Sequence, residues 1–200
     1  MIRVFGSKLY VSVFTLLLIA VISISVDAVF FYIAVVSALM HELAHIVGLR
    51  LYNVSISRIS VYPFGVAITA DTSSLSYKRE MLVAALGPIM SLLLSVVSFM
   101  FWNYAAGGIY LFAFFISNFI FFCVNIFPIK GLDGGRLLLS VLMMKLDIYV
   151  ALRIYDFVST AAFGLLCLAS LAVLWASGYN LSLVFICAYL YISEYAKQKL

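Results

Sequence analysis

Charge is what the sequence has least of: Asp, Glu, Lys and Arg make up 10% of its 200 residues, against 66% hydrophobic residues. Soluble globular domains carry about 25% charged residues, so a fully water-solvated surface is excluded and a membrane is the expected solvent. Cysteine is also sparse. Cys123, Cys167 and Cys187 each fall in an apolar run without CxxC spacing, which argues against a disulfide framework or a thiolate zinc site and leaves them as packing residues. Clustered basic charge is missing too. The net charge is +4, but Lys and Arg are scattered over the ends of apolar runs, so no nucleic-acid partner is expected. The first run follows Arg3 and Lys8 with no small-x-small cleavage site in ISVDAVFF, so it reads as a retained span.

Long apolar runs are what the sequence has in their place. A spanning helix needs about 20 mostly apolar residues. The runs predict an all-α polytopic membrane protein, a single domain over 1–200, with about six transmembrane helices near 9–26, 29–51, 80–103, 109–146, 152–176 and 179–195. The fourth is expected to be broken at 125–135, where proline and glycines interrupt it; irregular backbone at membrane depth requires a polar cavity. Between the second and third spans, VSISRISVY and VAITA flank Pro63, Phe64 and Gly65, which predicts a short β-hairpin over 54–70. Its exposed edge could hold a substrate segment by strand addition; a plain surface loop is the alternative.

The basic residues alternate between connections. Arg3 and Lys8 precede the first span; Arg50, Arg58, Lys78 and Arg79 follow the second; Lys145 and Arg153 follow the fourth; Lys197 and Lys199 close the chain. The positive-inside rule places these segments, and both termini, in the cytoplasm. Lys130 and Arg136 stand apart, beside the break, where charge is tolerated only along a polar cavity or at the interface.

Histidine is the last scarcity. There are two, and both lie in SALMHELAHIVGLR. On a helix His41 and His45 stand one turn apart on one face, able to bind one metal ion, with Glu42 as the natural general base. A pair of satisfied core histidines is the plainer reading, but a charged residue in the middle of a span costs at least about 2.5 kcal/mol, which a packing role does not repay. Hydrolytic zinc needs a third protein ligand and an open fourth position. The carboxylates available are Asp71, Glu80, Asp133, Asp147, Asp156 and Glu194. Asp133 stands out because it lies in NIFPIKGLDGGR, where Pro128 interrupts any helix and Gly131, Gly134 and Gly135 let the backbone turn sharply.

Together, HELAH and this segment resemble the site-2 protease family of intramembrane zinc metalloproteases, whose signature pairs HExxH on one span with N-x-x-P-x-x-x-L-D-G on a later one. The resemblance covers about residues 29–146. It implies that Asp133 is the third ligand of one Zn2+ per chain and that Asn125 and Pro128 shape the cleft near the substrate. Gly87 and Pro88 in AALGPIMS look like the family's third-span motif, although close helix packing would also account for them, and Asn125 could simply cap the broken helix. Two departures are Lys130 and Gly131, where many members are Pro-rich, and Ser91, where an Asn often follows the Gly-Pro pair; neither is expected to touch a ligand. The compact layout looks most like the sporulation branch, stage IV sporulation protein FB, without room for its C-terminal regulatory domain or for a PDZ domain.

The expected function is intramembrane zinc-dependent endoproteolysis of a membrane-associated or single-span protein, in a bacterial cell membrane and with possible membrane regulatory partners. In the second span His41 to His45 lie roughly 10 to 15 Å from the cytoplasmic end, so cleavage is expected near that face. A zinc transporter or a catalytically inactive metal-binding membrane protein would use the same ligands, and another HExxH protease family would take Glu80 or Glu194 as third ligand. Glu42 separates the first of these, because a transporter has no need of a general base there.

Overall fold

The computed structural model describes residues 3–4, 7–11, 27–62, 65–71, 75–104, 108–177 and 181–198. The chain divides into two units, Met1–Asn125 and Ile126–Leu200.

In the first unit, β1 (Arg3–Val4) and β2 (Ser7–Val11) precede α1 (Ala28–Leu51), which is followed by β3 (Ile56–Tyr62), β4 (Gly65–Ala70), α2 (Tyr77–Tyr104) and α3 (Ile109–Asn125). Asp27 starts α1 by accepting a hydrogen bond from the Val29 N–H at 3.1 Å, satisfying one of the orphan donors of a helix start. At the other end Asn53, with φ 58°, takes the left-handed conformation that stops a helix and that Asn tolerates well. The three helices pack against one another. Their side-chain pairings fix relative direction: Phe30 with Tyr110 and His41 with Phe121 climb both chains together, so α1 and α3 run parallel. His41 with Ser91 and His45 with Val83 run in opposite order, so α2 is antiparallel to α1.

The hairpin expected over 54–70 is β3 and β4, paired antiparallel with an irregularity between Ile56 and Arg58. It belongs to a larger sheet. The four strands lie in the order β1-β2-β3-β4, with β2 parallel to β3 and β1 antiparallel to β2. The chain is mostly helical with the expected hairpin, and what the expectation lacked is the rest of the sheet; the start of the first expected span is corrected, since residues 9–11 are strand. Leu9, Tyr10 and Val11 suit the beginning of an apolar helix as well as a strand, because a short apolar run does not distinguish the two by composition. The remainder of that span, 12–26, lies outside the described residues. The base of the hairpin is seated on the helices: Ile56, Ile68 and Ala70 pack on a buried cluster of Leu49 from α1, Val54 and Val83 from α2.

In the second unit a turn over 126–132 leads into α4 (Asp133–Lys145), α5 (Ile148–Ala176) and α6 (Ser182–Gln198). Consecutive helices pack side by side, and Ala151 is fully buried. Elsewhere α5 is clothed in exposed apolar groups: Phe157 is 75%, Leu165 67% and Trp175 92% exposed. Such a surface is suited to lipid. Among the described residues three helices are long and apolar enough to cross a membrane, Val29–Leu51, Tyr77–Tyr104 and Ile148–Ala176, and Ile109–Asn125 and Leu183–Ile192 are apolar but shorter.

Candidate metal centre

His41 and His45 lie on one face of α1, both buried, at 3% and 5% exposure. Each ring is anchored by α2 through Nδ1. The His45 Nδ1 stands 2.9 Å from the Val83 carbonyl oxygen. A carbonyl can only accept, so Nδ1 carries the proton there and the neutral ring presents Nε2 as a lone pair. The His41 Nδ1 stands 2.9 Å from the Ser91 hydroxyl. The two Nε2 atoms are thereby turned towards each other, 3.3 Å apart. Two nitrogens bound to one tetrahedral zinc at about 2.0–2.1 Å stand about 3.3 Å apart, so this pair fits the ion. Glu42, between them on α1, is half-buried.

Gly87 explains why the rings can stand so. A Cβ at this position would press into Nε2 of both His45 and His41, so only glycine leaves the space beside the two donor atoms open. Close helix packing is also real at Gly48, one turn beyond His45, where a Cβ would collide with Leu86. Pro88 has no N–H to give to the Ala84 carbonyl, and its ring disturbs the preceding turn; the neighbouring carbonyl, Val83, is the one that receives His45. Val83, Gly87 and Ser91 are spaced four apart, so they form one stripe of α2 along His45 and His41.

Ser91 corrects one expectation. It was expected to touch no ligand, yet its hydroxyl bonds His41. Two further residues near His41 were not anticipated. Phe121 of α3 places its ring 6.1 Å from that of His41. One turn before His41, Ser37 and Asn118 are both fully buried, and the Asn118 amide donates to Ser37 Oγ at 3.0 Å and to the Phe114 carbonyl at 2.9 Å. Because Phe114 O can only accept, the amide orientation is fixed and Oδ1 is left without a partner.

The other expected site residues fall at the break. Asn125 is the last residue of α3 and donates its side-chain amide to the Phe121 carbonyl at 3.0 Å, a bond to its own last turn. Pro128 is half-buried, and Ile129 beside it is buried. Gly131, with φ 92°, makes the turn that a side chain would oppose. Asp133 opens α4. Gly134 and Gly135 lie against the loop itself, where a Cβ would strike the carbonyls of Ile126 and Phe127 in the first case and Ile129 in the second. His41 and His45 in the first unit and Asp133 in the second each offer one donor atom that a metal ion could take. Two nitrogens and a carboxylate oxygen are a donor set suited to zinc. Of the other candidate carboxylates, Asp71 follows β4 and is exposed, Asp147 precedes α5 and is exposed, Glu80 lies in the first turn of α2, and Asp156 pairs with Lys130.

A helical membrane protein with a buried two-histidine metal centre beside a small sheet is the class these features define. No protein-family model matches the chain. Over 142 residues, 66% of this chain, it is 28% identical to a zinc metalloprotease of Methanocaldococcus jannaschii. The match spans 41% of that relative's length. Among solved structures, a site-2 protease from Methanocaldococcus jannaschii superposes with a TM-score of 0.71 at 22% identity, covering 96% of this chain and 91% of that one. The fold is that of a site-2 protease over nearly the whole chain.

Proposed function

We propose that the protein is an intramembrane zinc endopeptidase that cleaves a membrane-associated or single-span protein near the cytoplasmic face. The observation that carries this reading is the buried pair of His41 and His45, with their Nε2 atoms 3.3 Å apart and Glu42 adjacent in sequence to the first; Asp133 is the third ligand that the reading adds. Zn2+, when bound, polarises a water and the scissile carbonyl. The chain supplies the rest. His41 and His45 hold the ion through Nε2, oriented by Ser91 and the Val83 carbonyl at Nδ1; such outer partners fix ring orientation and raise ligand basicity. Asp133 closes the ligand set. A Glu42 carboxylate oxygen takes the proton from the attacking water and returns it to the leaving amine. Asn125 and Pro128 border the cleft.

The same reading places both termini and the sheet in the cytoplasm of a bacterial cell, in line with the basic connections. In the sheet order β4 is an edge strand, which supports strand addition as the way a substrate is held extended. A sporulation-branch substrate such as a pro-sigma factor, and membrane regulatory partners, belong to the same proposal. The test is co-expression with candidate single-span substrates, wild type against Glu42→Ala. Cleavage lost in the variant while zinc is retained is the expected result; undiminished cleavage overturns the mechanism. A zinc transporter would lose flux, not proteolysis, on loss of the ligands.

A further inference from the structure

The loop that delivers Asp133 has two attachments to α5, and both end on one residue. The backbone N–H of Lys130 donates to Ser159 Oγ at 2.6 Å, and Ser159 is buried at 2% exposure. The Lys130 ammonium lies 2.7 Å from Asp156 Oδ1 and 5.6 Å from the centre of the Tyr155 ring. Tyr155, Asp156 and Ser159 share one face of α5, at spacings of three and four. Within the loop, Ile129 N–H bonds the Phe127 carbonyl at 2.8 Å and Leu132 N–H bonds the Ile129 carbonyl at 3.1 Å, so Lys130 sits between two internal ties. Held at Lys130, the turn has little freedom before Asp133. Glycines 134 and 135, packed on the loop carbonyls, extend that constraint into the first turn of α4.

We propose that Asp156 and Ser159 are positioning residues for zinc binding: they fasten the Lys130 turn and so set where Asp133 presents its carboxylate. The proposal rests on the reading of Asp133 as a zinc ligand. Two physical effects converge. Ser159 fixes the backbone three residues before the ligand. Asp156 neutralises an ammonium that, left unpaired three residues from a ligand, would oppose a dication. Partners that orient a metal ligand from outside the coordination sphere are worth about 10- to 100-fold in metal affinity.

The experiment measures zinc bound by the full-length chain in detergent against a graded chelator, alongside thermal unfolding of the zinc-free protein. Asp156→Asn is expected to weaken zinc binding at least about tenfold, and the exchange Lys130→Asp with Asp156→Lys to recover most of it. Ser159→Ala, which removes the hydroxyl partner of the loop, is expected to weaken binding in the same direction. A folded Asp156→Asn protein that holds zinc as wild type does, with only its zinc-free unfolding temperature lowered, overturns the proposal and leaves the pair a simple stabilising contact. Asp133→Ala keeps the two levels apart. Zinc lost from Asp133→Ala but held normally by Asp156→Asn and Ser159→Ala sinks only this inference, whereas zinc held by Asp133→Ala sinks the ligand assignment beneath it.

Discussion

Gly87→Ala sets two effects of opposite sign against each other. In the middle of a helix alanine is favoured over glycine by about 1 kcal/mol, so a glycine that served only the backbone would give a more stable protein when replaced. At Gly87 the added methyl meets His41 Nε2 at 2.6 Å and His45 Cε1 at 2.7 Å, where ordinary contact begins at 3.4 Å. The rings must retreat by at least about 0.7 to 0.8 Å on those figures, and His45 Nε2, which lies closer still, by more. Metal–ligand distances tolerate only about 0.2 Å. Both rings are also tied at Nδ1, to Ser91 and Val83 on the same helix as the methyl, so retreat breaks those bonds. The expected result is zinc affinity lowered at least about tenfold, roughly 1.4 kcal/mol, in a protein whose zinc-free form is also less stable than wild type, because two broken buried bonds at about 1 to 3 kcal/mol each outweigh the helix gain. Chelator competition reads the first quantity and thermal unfolding in detergent the second. Wild-type zinc affinity in Gly87→Ala would refute the placement of this glycine against the two donor atoms.

Ser91→Ala removes the partner of His41 Nδ1 and is expected to lower zinc affinity about tenfold with little effect on the zinc-free fold; an unchanged affinity would show that the hydroxyl does not orient the ring. Asn118→Leu deletes the bond to Ser37 and the second one to the Phe114 carbonyl of its own helix together with the unpartnered Oδ1, so contributions of opposite sign meet. A hydrogen bond between helices in a membrane is worth about 0.6 kcal/mol on average and an unsatisfied buried acceptor costs about 1 to 3 kcal/mol, which predicts an unfolding temperature equal to or above that of wild type; a clear drop would mean that Oδ1 is satisfied by bound water. Gly134→Ala, where the methyl would strike loop carbonyls, is expected to lower zinc affinity more than Gly164→Ala, which meets nothing within 4 Å; equal effects would separate the Asp133 turn from the metal.

Why some of this was legible and some was not follows from sequence distance. The HELAH pair is four residues apart, and helical periodicity alone brings the two imidazoles to one face. The hairpin is equally local: β-branched runs about a proline and a glycine specify it without help from elsewhere. The partnership of β2 with β3 is different, since Lys8 pairs with Arg58 across α1 and nothing near residue 8 announces it. A criterion built on apolar length therefore counted Leu9 to Val11 as helix, although Tyr and Val favour strands as well as apolar surroundings. Charge near the break gave a partial signal. Lys130 was conspicuous in the sequence as a cation at membrane depth, but its partner lies 26 residues further on, and six carboxylates competed for the role of third ligand.

Ser91 is the case in which the signal was present and pointed the other way. As a departure from a family motif it looks neutral, because a motif records which residues recur and not what each one touches. The helix supplies the missing step. Once α2 is placed antiparallel to α1, residues that must serve His45 and His41 in turn have to recur at the spacing of the histidines themselves, every four positions. Val83, Gly87 and Ser91 satisfy that condition: a carbonyl acceptor, an open space and a hydroxyl, in the order in which the rings meet them. An asparagine at 91 would bring an amide to the same nitrogen, so the two residue types serve one requirement, a short polar side chain facing Nδ1. Serine and asparagine are therefore interchangeable there in a way that alanine is not. Ser91→Asn should hold zinc far better than Ser91→Ala, and equal loss in the two would show that size, not hydrogen bonding, governs the position.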